Sequence, residues 1–167
     1  ITVPNISTSS ARIKVEAVNN IFFDMSNTDF SISSSTLTVR KKFDFDGDSR
    51  DDIGVFRPSN GVWYRLNSTN GSFFAMNFGV SGDTPTPGDF DGDGRLDIAV
   101  FRPSTGVWYR LNSTGGAFAA TAWGISTDVP VVGDYDGDGI EDIGVFRPAT
   151  GTWYVLQSSN GALLASQ

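Results

Sequence analysis

The chain contains no cysteine and no histidine. Without cysteine there is no disulfide, no thiolate nucleophile and no cysteine-based zinc site. Without histidine the usual general base near neutral pH and the commonest transition-metal ligand are missing. Neither a Ser-His-Asp nor a Cys-His arrangement can be assembled within one chain. No apolar run approaches the roughly 18 residues of a membrane-spanning helix. Helical 3.6-residue periodicity and helix-capping signatures of any length are also lacking. Cations are outnumbered: 12 Lys and Arg stand against 19 Asp and Glu, a net charge of −7, which argues against nucleic acid as a partner. The opening ITVPNISTSS has neither the form of a signal peptide nor a starting Met, and is expected to follow processing or to lie inside a longer protein.

What is present is aromatic and acidic. The 167 residues include 13 Phe, 4 Trp and 4 Tyr, which argue against disorder. A chain of this length can bury roughly 70% of the surface exposed when unfolded. Of the 19 acids, 14 lie in three short windows, 44–52, 89–97 and 134–142. Outside them stand only Glu16, Asp24, Asp29, Asp83 and Asp128. Three divalent cations would bring the formal charge from −7 to −1.

The windows belong to a repeat. DFDGDSRDD begins at Asp44, DFDGDGRLD at Asp89 and DYDGDGIED at Asp134, a period of 45 residues. VFRPSNGVWYRLNST (55–69) matches VFRPSTGVWYRLNST (100–114) at 14 of 15 positions, and VFRPATGTWYVLQSS (145–159) matches the second copy at 10 of 15. Within each copy the patterning is that of strands. DIGVFRP (52–58) is rich in β-branched and aromatic residues and stops at Pro58. Asn60-Gly61 is a hairpin-turn signal, and GVWYRL (61–66) alternates Val62, Tyr64 and Leu66 against Trp63 and Arg65. A turn at Asn70-Gly71 precedes FFAMNFG (73–79). TPTPGDF (84–90) and VPVVGDY (129–135) supply a fourth short segment. Four strands in about 45 residues describe a propeller blade, so the fold class is all-β, with three four-stranded propeller-type blades at about 37–79, 84–124 and 129–167. Rings close with about four to eight blades, so the three are expected to be part of a longer or multi-chain array. Gln167 is equivalent to Ala122, so the chain stops two residues short of the Trp123-Gly124 equivalent, as a cut within such an array would leave it.

Residues 1–36 lack the repeat. RIKVEAV (12–18) alternates, and IFFDMS (21–26) and DFSIS (29–33) also read as extended. Two or three strands cannot fold alone, so this segment is expected to be the end of an Ig-like β-sandwich module, with SSSTLT (33–38) as linker.

Numbered from its first Asp, each acidic window carries carboxylates at positions 1, 3, 5 and 9: Asp44, Asp46, Asp48 and Asp52; Asp89, Asp91, Asp93 and Asp97; Asp134, Asp136, Asp138 and Asp142. Alternate spacing in a tight loop aims positions 1, 3 and 5 at one centre. Position 7 (Arg50, Arg95, Ile140) varies in side chain, as expected of a residue that contributes its backbone carbonyl. Glycines at positions 4 and 6 allow the positive φ of a sharp turn, with Ser49 as the exception in copy one. An all-oxygen, multi-carboxylate cage suits calcium, which takes six to eight oxygens, whereas magnesium keeps more waters and zinc prefers N or S. The beginning D-x-D-x-D-G is that of an EF-hand, but position 12 is Val55, Val100 or Val145 instead of Glu, and a strand follows instead of a helix.

D-[FY]-D-G-D-x-x-x-D, followed by V-F-R-P and G-x-W-Y, resembles the FG-GAP/VCBS-type calcium-loop propeller repeats related to those of integrin α-subunits, over about residues 37–167. The resemblance implies about three calcium ions, one per repeat, held by the loop aspartates and the position-7 carbonyls. Residues 1–36 resemble the end of β-sandwich modules in bacterial secreted metallopeptidase-like proteins. That implies a bacterial, exported, multidomain parent, although no HExxH motif is present.

The expected function is therefore an extracellular, calcium-binding structural or adhesion module that is not an enzyme. Two alternatives stand beside it: a self-assembling polymer or filament subunit completed by strand addition, and a carbohydrate-binding module using Trp63, Trp108 and Trp153. Expected partners are a second copy of the chain or a cell-surface protein or glycan, without nucleic acid or a membrane span. The once-per-repeat Trp is expected to pack between blades. Arg57, Arg102 and Arg147 are expected to pair with carboxylates of the acidic loops.

Overall fold

The computed structural model describes residues 8–11, 14–16, 23–25, 30–32 and 43–167. It divides into two compact units, residues 1–39 and 40–167. In the first, β1 (Thr8–Ala11) pairs antiparallel with β4 (Phe30–Ile32), and β2 (Lys14–Glu16) with β3 (Phe23–Met25). β2, β3 and β4 fall in the stretches whose alternation reads as extended; β1, in the polar run TSSA, carries no such signal. The expected linker 33–38 lies outside the described residues.

The second unit is a series of antiparallel meanders without a helix among the described residues. The first sheet holds β5 (Ile53–Arg57), β6 (Val62–Leu66) and β7 (Phe73–Asn77). The second holds β8 (Thr84–Pro85), β9 (Ile98–Arg102), β10 (Val107–Leu111) and β11 (Phe118–Ala122). The third holds β12 (Val129–Gly133), β13 (Asp142–Arg147), β14 (Thr152–Leu156) and β15 (Leu163–Ser166). These are propeller-type blades. The segment before the second and the third acidic loop pairs with the strand after that loop, Thr84 with Phe101 and Val129 with Phe146, so the loop is the connection inside one blade. The first sheet shows three strands, because the segment equivalent to β8 falls before residue 43.

One turn differs from its sequence signal. Asn60-Gly61 does not form a two-residue hairpin. Arg57 pairs with Val62 across a four-residue turn, and Gly61, at φ 68°, donates its amide to the Arg57 carbonyl at 2.9 Å. Pro58 ends β5 by having no amide to offer the ladder, so the chain leaves the sheet before the Asn-Gly pair is reached.

The core lies between blades. Phe45 and Trp63 of the first pack with Leu96 and Val100 of the second. Phe90, Phe101 and Trp108 of the second pack with Ile143 and Val145 of the third. Each buried indole also finds an acceptor: Trp63 Nε1 donates to the Phe78 carbonyl and Trp108 Nε1 to the Trp123 carbonyl, both at 3.0 Å. This satisfies the one polar atom of a large apolar group. Trp63 and Trp108 therefore have no free face for a sugar, while Trp153 remains partly exposed.

Trp108→Ala is expected to destabilise the protein by about 3–5 kcal/mol, as for other buried aromatic truncations. Trp153→Ala should cost less than half of that. Denaturant unfolding of the two variants against the parent checks the difference.

Candidate metal centre

Each acidic loop is built around its first carboxylate. Asp44 Oδ1 accepts the Gly47 amide at 2.7 Å, and Oδ2 accepts that of Ser49 at 2.8 Å. Asp89 takes the amides of Gly92 and Gly94 at 2.7 and 2.9 Å, and Asp134 those of Gly137 and Gly139 at 2.7 and 3.0 Å. Wrapping the chain this closely around one carboxylate requires positive φ at positions 4 and 6. Gly92 and Gly94 have φ of 75° and 85°; in copy one Gly47 has 83° and Ser49 has 67°. Ser49 thus holds a left-handed conformation without glycine's freedom, the one non-glycine positive φ among the described residues.

The ninth-position carboxylate closes the loop. Asp97, fully buried, accepts the Phe90 amide at 2.9 Å and the Ser113 amide at 2.6 Å. Asp52 does the same with Phe45 and Ser68, at 2.8 and 2.7 Å. Asp142 does it with Tyr135 and Ser158, at 2.9 and 2.6 Å. The loop is thereby tied to the turn between the last two strands of the same blade, 16 residues further on. Ser68, Ser113 and Ser158 are members of the site that carry no sequence signal of their own beyond recurring at the 45-residue period.

The structure brings the carboxylates together in a pattern that varies between copies. Ligand oxygens of Asp44, Asp46 and Asp48 lie within 4.8 Å of one another in the first loop. In the second, Asp89, Asp91 and Asp97 do so, and in the third Asp134, Asp136 and Asp142. Positions 1 and 3 converge every time. Position 5 joins the converging set only in the first loop. In the second, Asp93 Oδ2 accepts the Ser113 hydroxyl at 2.8 Å and also that of Thr114, and in the third Asp138 Oδ2 accepts the Ser158 hydroxyl at 2.9 Å. Position 7 donates its amide to the position-5 carboxylate, Arg50 to Asp48, Arg95 to Asp93 and Ile140 to Asp138.

Electrostatics follow from this crowding. Desolvation raises the pKa of Asp91, and the charges of Asp93 and Asp89 raise it further. Asp93 ends below the usual carboxylate range: burial opposes ionisation, but the Thr114 and Ser113 hydroxyls and the Arg95 amide outweigh it. Asp97 is pushed up to about 6, chiefly by burial, despite the two amides it accepts. All the converging atoms are hard, anionic oxygens, which is donor chemistry for calcium and not for zinc.

The loops also touch one another in series. The Leu96 amide donates to the Asp44 carbonyl at 2.8 Å, and the Glu141 amide to the Asp89 carbonyl at 2.9 Å. The position-7 side chain of one loop lies over the position-4 glycine of the loop before. A Cβ on Gly47 would meet Arg95 Nε at 2.6 Å, and one on Gly92 would meet Ile140 Cγ1 at 3.1 Å.

The repeated arginines do not pair with loop carboxylates. Arg102 forms a bidentate pair with Asp83, Nε to Oδ1 at 2.8 Å and Nη2 to Oδ2 at 2.9 Å, and Arg147 pairs in the same way with Asp128. The loop carboxylates are already engaged with backbone amides. Asp83 and Asp128 instead sit in the turn that begins each blade, where they also accept the amides of Val80 and Ile125. The signal was present in the sequence: these two acids outside the windows are themselves 45 residues apart. The equivalent position in copy one is Thr38, and Arg57 stacks on the Tyr64 ring and donates to its hydroxyl at 3.0 Å.

Two predictions follow from the loop geometry. Ser49→Gly should raise the unfolding free energy by about 1 kcal/mol, since it relieves a left-handed non-glycine residue; equilibrium denaturation reads it. In calcium-free protein the Asp97 carboxyl should titrate with a midpoint near pH 6, followed by carboxyl-carbon NMR. Its folded pKa lies above its ordinary 3.8, so the fold favours the protonated form. The destabilising contribution of the ionised group is therefore absent below about pH 3.8, grows as the pH rises, and is complete above about 6. A midpoint near 4 would mean a solvated carboxylate.

Comparison with known proteins agrees with this architecture. A search of curated proteins and a search of solved structures each returned no match. A family model described as FG-GAP-like repeat matches residues 44–100 and again 89–145. Each match runs from one acidic loop through the next and into the strand that follows, so the matched unit contains the contact between successive loops. The two matches together cover more than half of the chain, which belongs to the FG-GAP-like repeat family.

Proposed function

We propose that this chain is a calcium-stabilised structural and adhesion module of the extracellular space, exported from a bacterium and without catalytic activity. The observation that carries this reading is the convergence of three carboxylates on one point in each of three loops. About three ions, one per repeat, would be held by positions 1 and 3 in every loop. The remaining oxygens would come from position 5 or 9 and from the backbone carbonyls of Arg50, Arg95 and Ile140. The ion would offset the repulsion from Asp93 and Asp89 that adds to burial in raising the pKa of Asp91. Residues 1–36 are assigned, in the same proposal, to the end of a β-sandwich module preceding the blades. The partner held by the array would be a cell-surface protein or glycan.

Extracellular calcium modules bind with Kd on the order of 10⁻⁴–10⁻³ M. At about 10 mM calcium, binding to the folded state alone would then add about 1.4–2.7 kcal/mol per site by mass action. Calcium is therefore expected to raise the melting temperature by about 10 °C or more over protein in EGTA, with magnesium much less effective. Differential scanning calorimetry checks this, and identical melting in the two conditions would remove the calcium reading.

A further inference from the structure

Between the first and second blades lies a cleft of about 320 Å³, a volume in the range of small-molecule pockets. Every residue lining it falls within 45–113, so both walls belong to one internal junction. Arg65, Phe74 and Met76 of β6 and β7, with Asn67 just beyond β6, supply one wall. Arg95 and Leu96 of the second acidic loop, with Ile98 and Leu111, supply the other. The register explains how they meet. Arg65 pairs with Phe74 and Trp63 with Met76, so these four side chains share the face on which Trp63 packs against the second blade.

The polar part of this lining is unsatisfied. Arg65 Nε and Asn67 Oδ1 are buried atoms without a hydrogen-bond partner, a costly state for a polar group. The Arg65 guanidinium lies over the Phe74 ring at 4.7 Å and the Phe45 ring at 5.5 Å. Such stacking uses the face of the guanidinium and leaves its N–H edge free to donate. Arg95 is exposed, and its side chain reaches back over Gly47 of the first loop. Neither arginine makes a salt bridge among the described residues, although the Arg95 charge acts on Asp93 through space. The one carboxylate in the lining is that of Asp46, which accepts the amides of Asp48 and Thr69 at 3.2 and 3.3 Å. Two guanidiniums against one carboxylate leave the cleft with a surplus of one positive charge.

The second junction is built differently. Its equivalent of Arg65 is Arg110, whose Nη2 donates to the Thr121 hydroxyl at 3.3 Å, although its Nε is likewise unmet. Ile140 stands in place of Arg95, and Ala119 and Thr121 in place of Phe74 and Met76. The two-arginine cleft is therefore a product of residues particular to the first pair of blades, and the 45-residue repeat does not require it.

We propose that this cleft binds a small organic monocarboxylate with a hydroxylated, ring-sized body. Arg65 and Arg95 would grip the carboxylate from the two walls. Phe74, Met76, Leu96 and Ile98 would cover the ring, and the hydroxyl would donate to Asn67 Oδ1. The charge count is that of the metal-free protein, so the proposal stands apart from the calcium reading and is tested without metal.

The test is isothermal titration calorimetry in EGTA, with 4-hydroxybenzoate as the probe and the parent, Arg65→Met, Arg95→Met and Arg110→Met as proteins. The parent should bind with a Kd below about 1 mM. The neutral 4-hydroxybenzamide should bind about tenfold more weakly or worse, since it cannot form charge-assisted bonds to both guanidiniums. Benzoate, without the hydroxyl, should bind about threefold more weakly. Arg65→Met and Arg95→Met should each weaken binding about tenfold, whereas Arg110→Met, at the other junction, should bind like the parent. Arg95 is exposed, so its variant carries the test alone if circular dichroism shows Arg65→Met unfolded. In nitrogen–proton NMR spectra of the parent, the side-chain resonances of Arg65 and Asn67 should shift during the titration. A parent that shows no saturable binding of 4-hydroxybenzoate overturns the proposal. So do 4-hydroxybenzamide, benzoate or inorganic sulfate binding as tightly as the probe, Arg65 and Arg95 variants that bind like the parent, or shifts confined to residues outside the cleft.

Discussion

The buried carboxylate at the ninth loop position carries the architecture of each blade. Asp52, Asp97 and Asp142 each accept one amide from the second loop residue and one from the turn between the blade's last two strands. A single side chain thus joins segments separated by 7 and by 16 residues. Two buried backbone amides would lose their acceptor without it, a penalty of about 1–3 kcal/mol for each. The carboxylate is itself costly to ionise in that position, as the raised pKa of Asp97 records. Burial that disfavours the anion is the same burial that would strengthen its attraction to a cation.

Around this anchor the loop has little freedom. The first carboxylate is committed to the amides at positions 4 and 6, and the fifth leans either toward the centre or toward the serine and threonine hydroxyls of the neighbouring turn. The stacking of loops then couples one repeat to the next. The position-8 amide reaches the position-1 carbonyl of the preceding loop, and the position-7 side chain covers its glycine. An ion that orders one loop would therefore also order the surface on which the next blade rests. Metal binding by these loops would share atoms of the same nine residues with blade packing.

The Arg–Asp pairs show a second fastening, at the other end of each blade. Asp83 holds both the Arg102 guanidinium and the turn at Val80, and Arg102 also lies over the Tyr109 ring at 4.4 Å. Asp128 meets the guanidinium of Arg147 with two hydrogen bonds, which hold the Asp128 carboxyl below its ordinary pKa. Copy one has Thr38 in place of the acid, and among the described residues Arg57 is held by Tyr64.

Much of this was legible in the residues alone. The 45-residue period, the alternation in GVWYRL and the stop at Pro58 determined three sets of strands, because β pairing reads side-chain periodicity and turn chemistry that are local in the chain. The aspartate spacing and flanking glycines determined three oxygen-rich loops for the same local reason. Tertiary structure decided what those patterns could not: that Asp83 and not a loop aspartate meets Arg102, that Ser113 caps Asp97, and that position 5 converges in only one loop. It also decided which Trp is covered. Trp108 and Trp153 occupy equivalent strand positions in stretches that match at 10 of 15 residues, yet one is buried and the other half-open. Burial is a property of what lies across the junction, and no local pattern in a strand records whether a neighbouring blade is there.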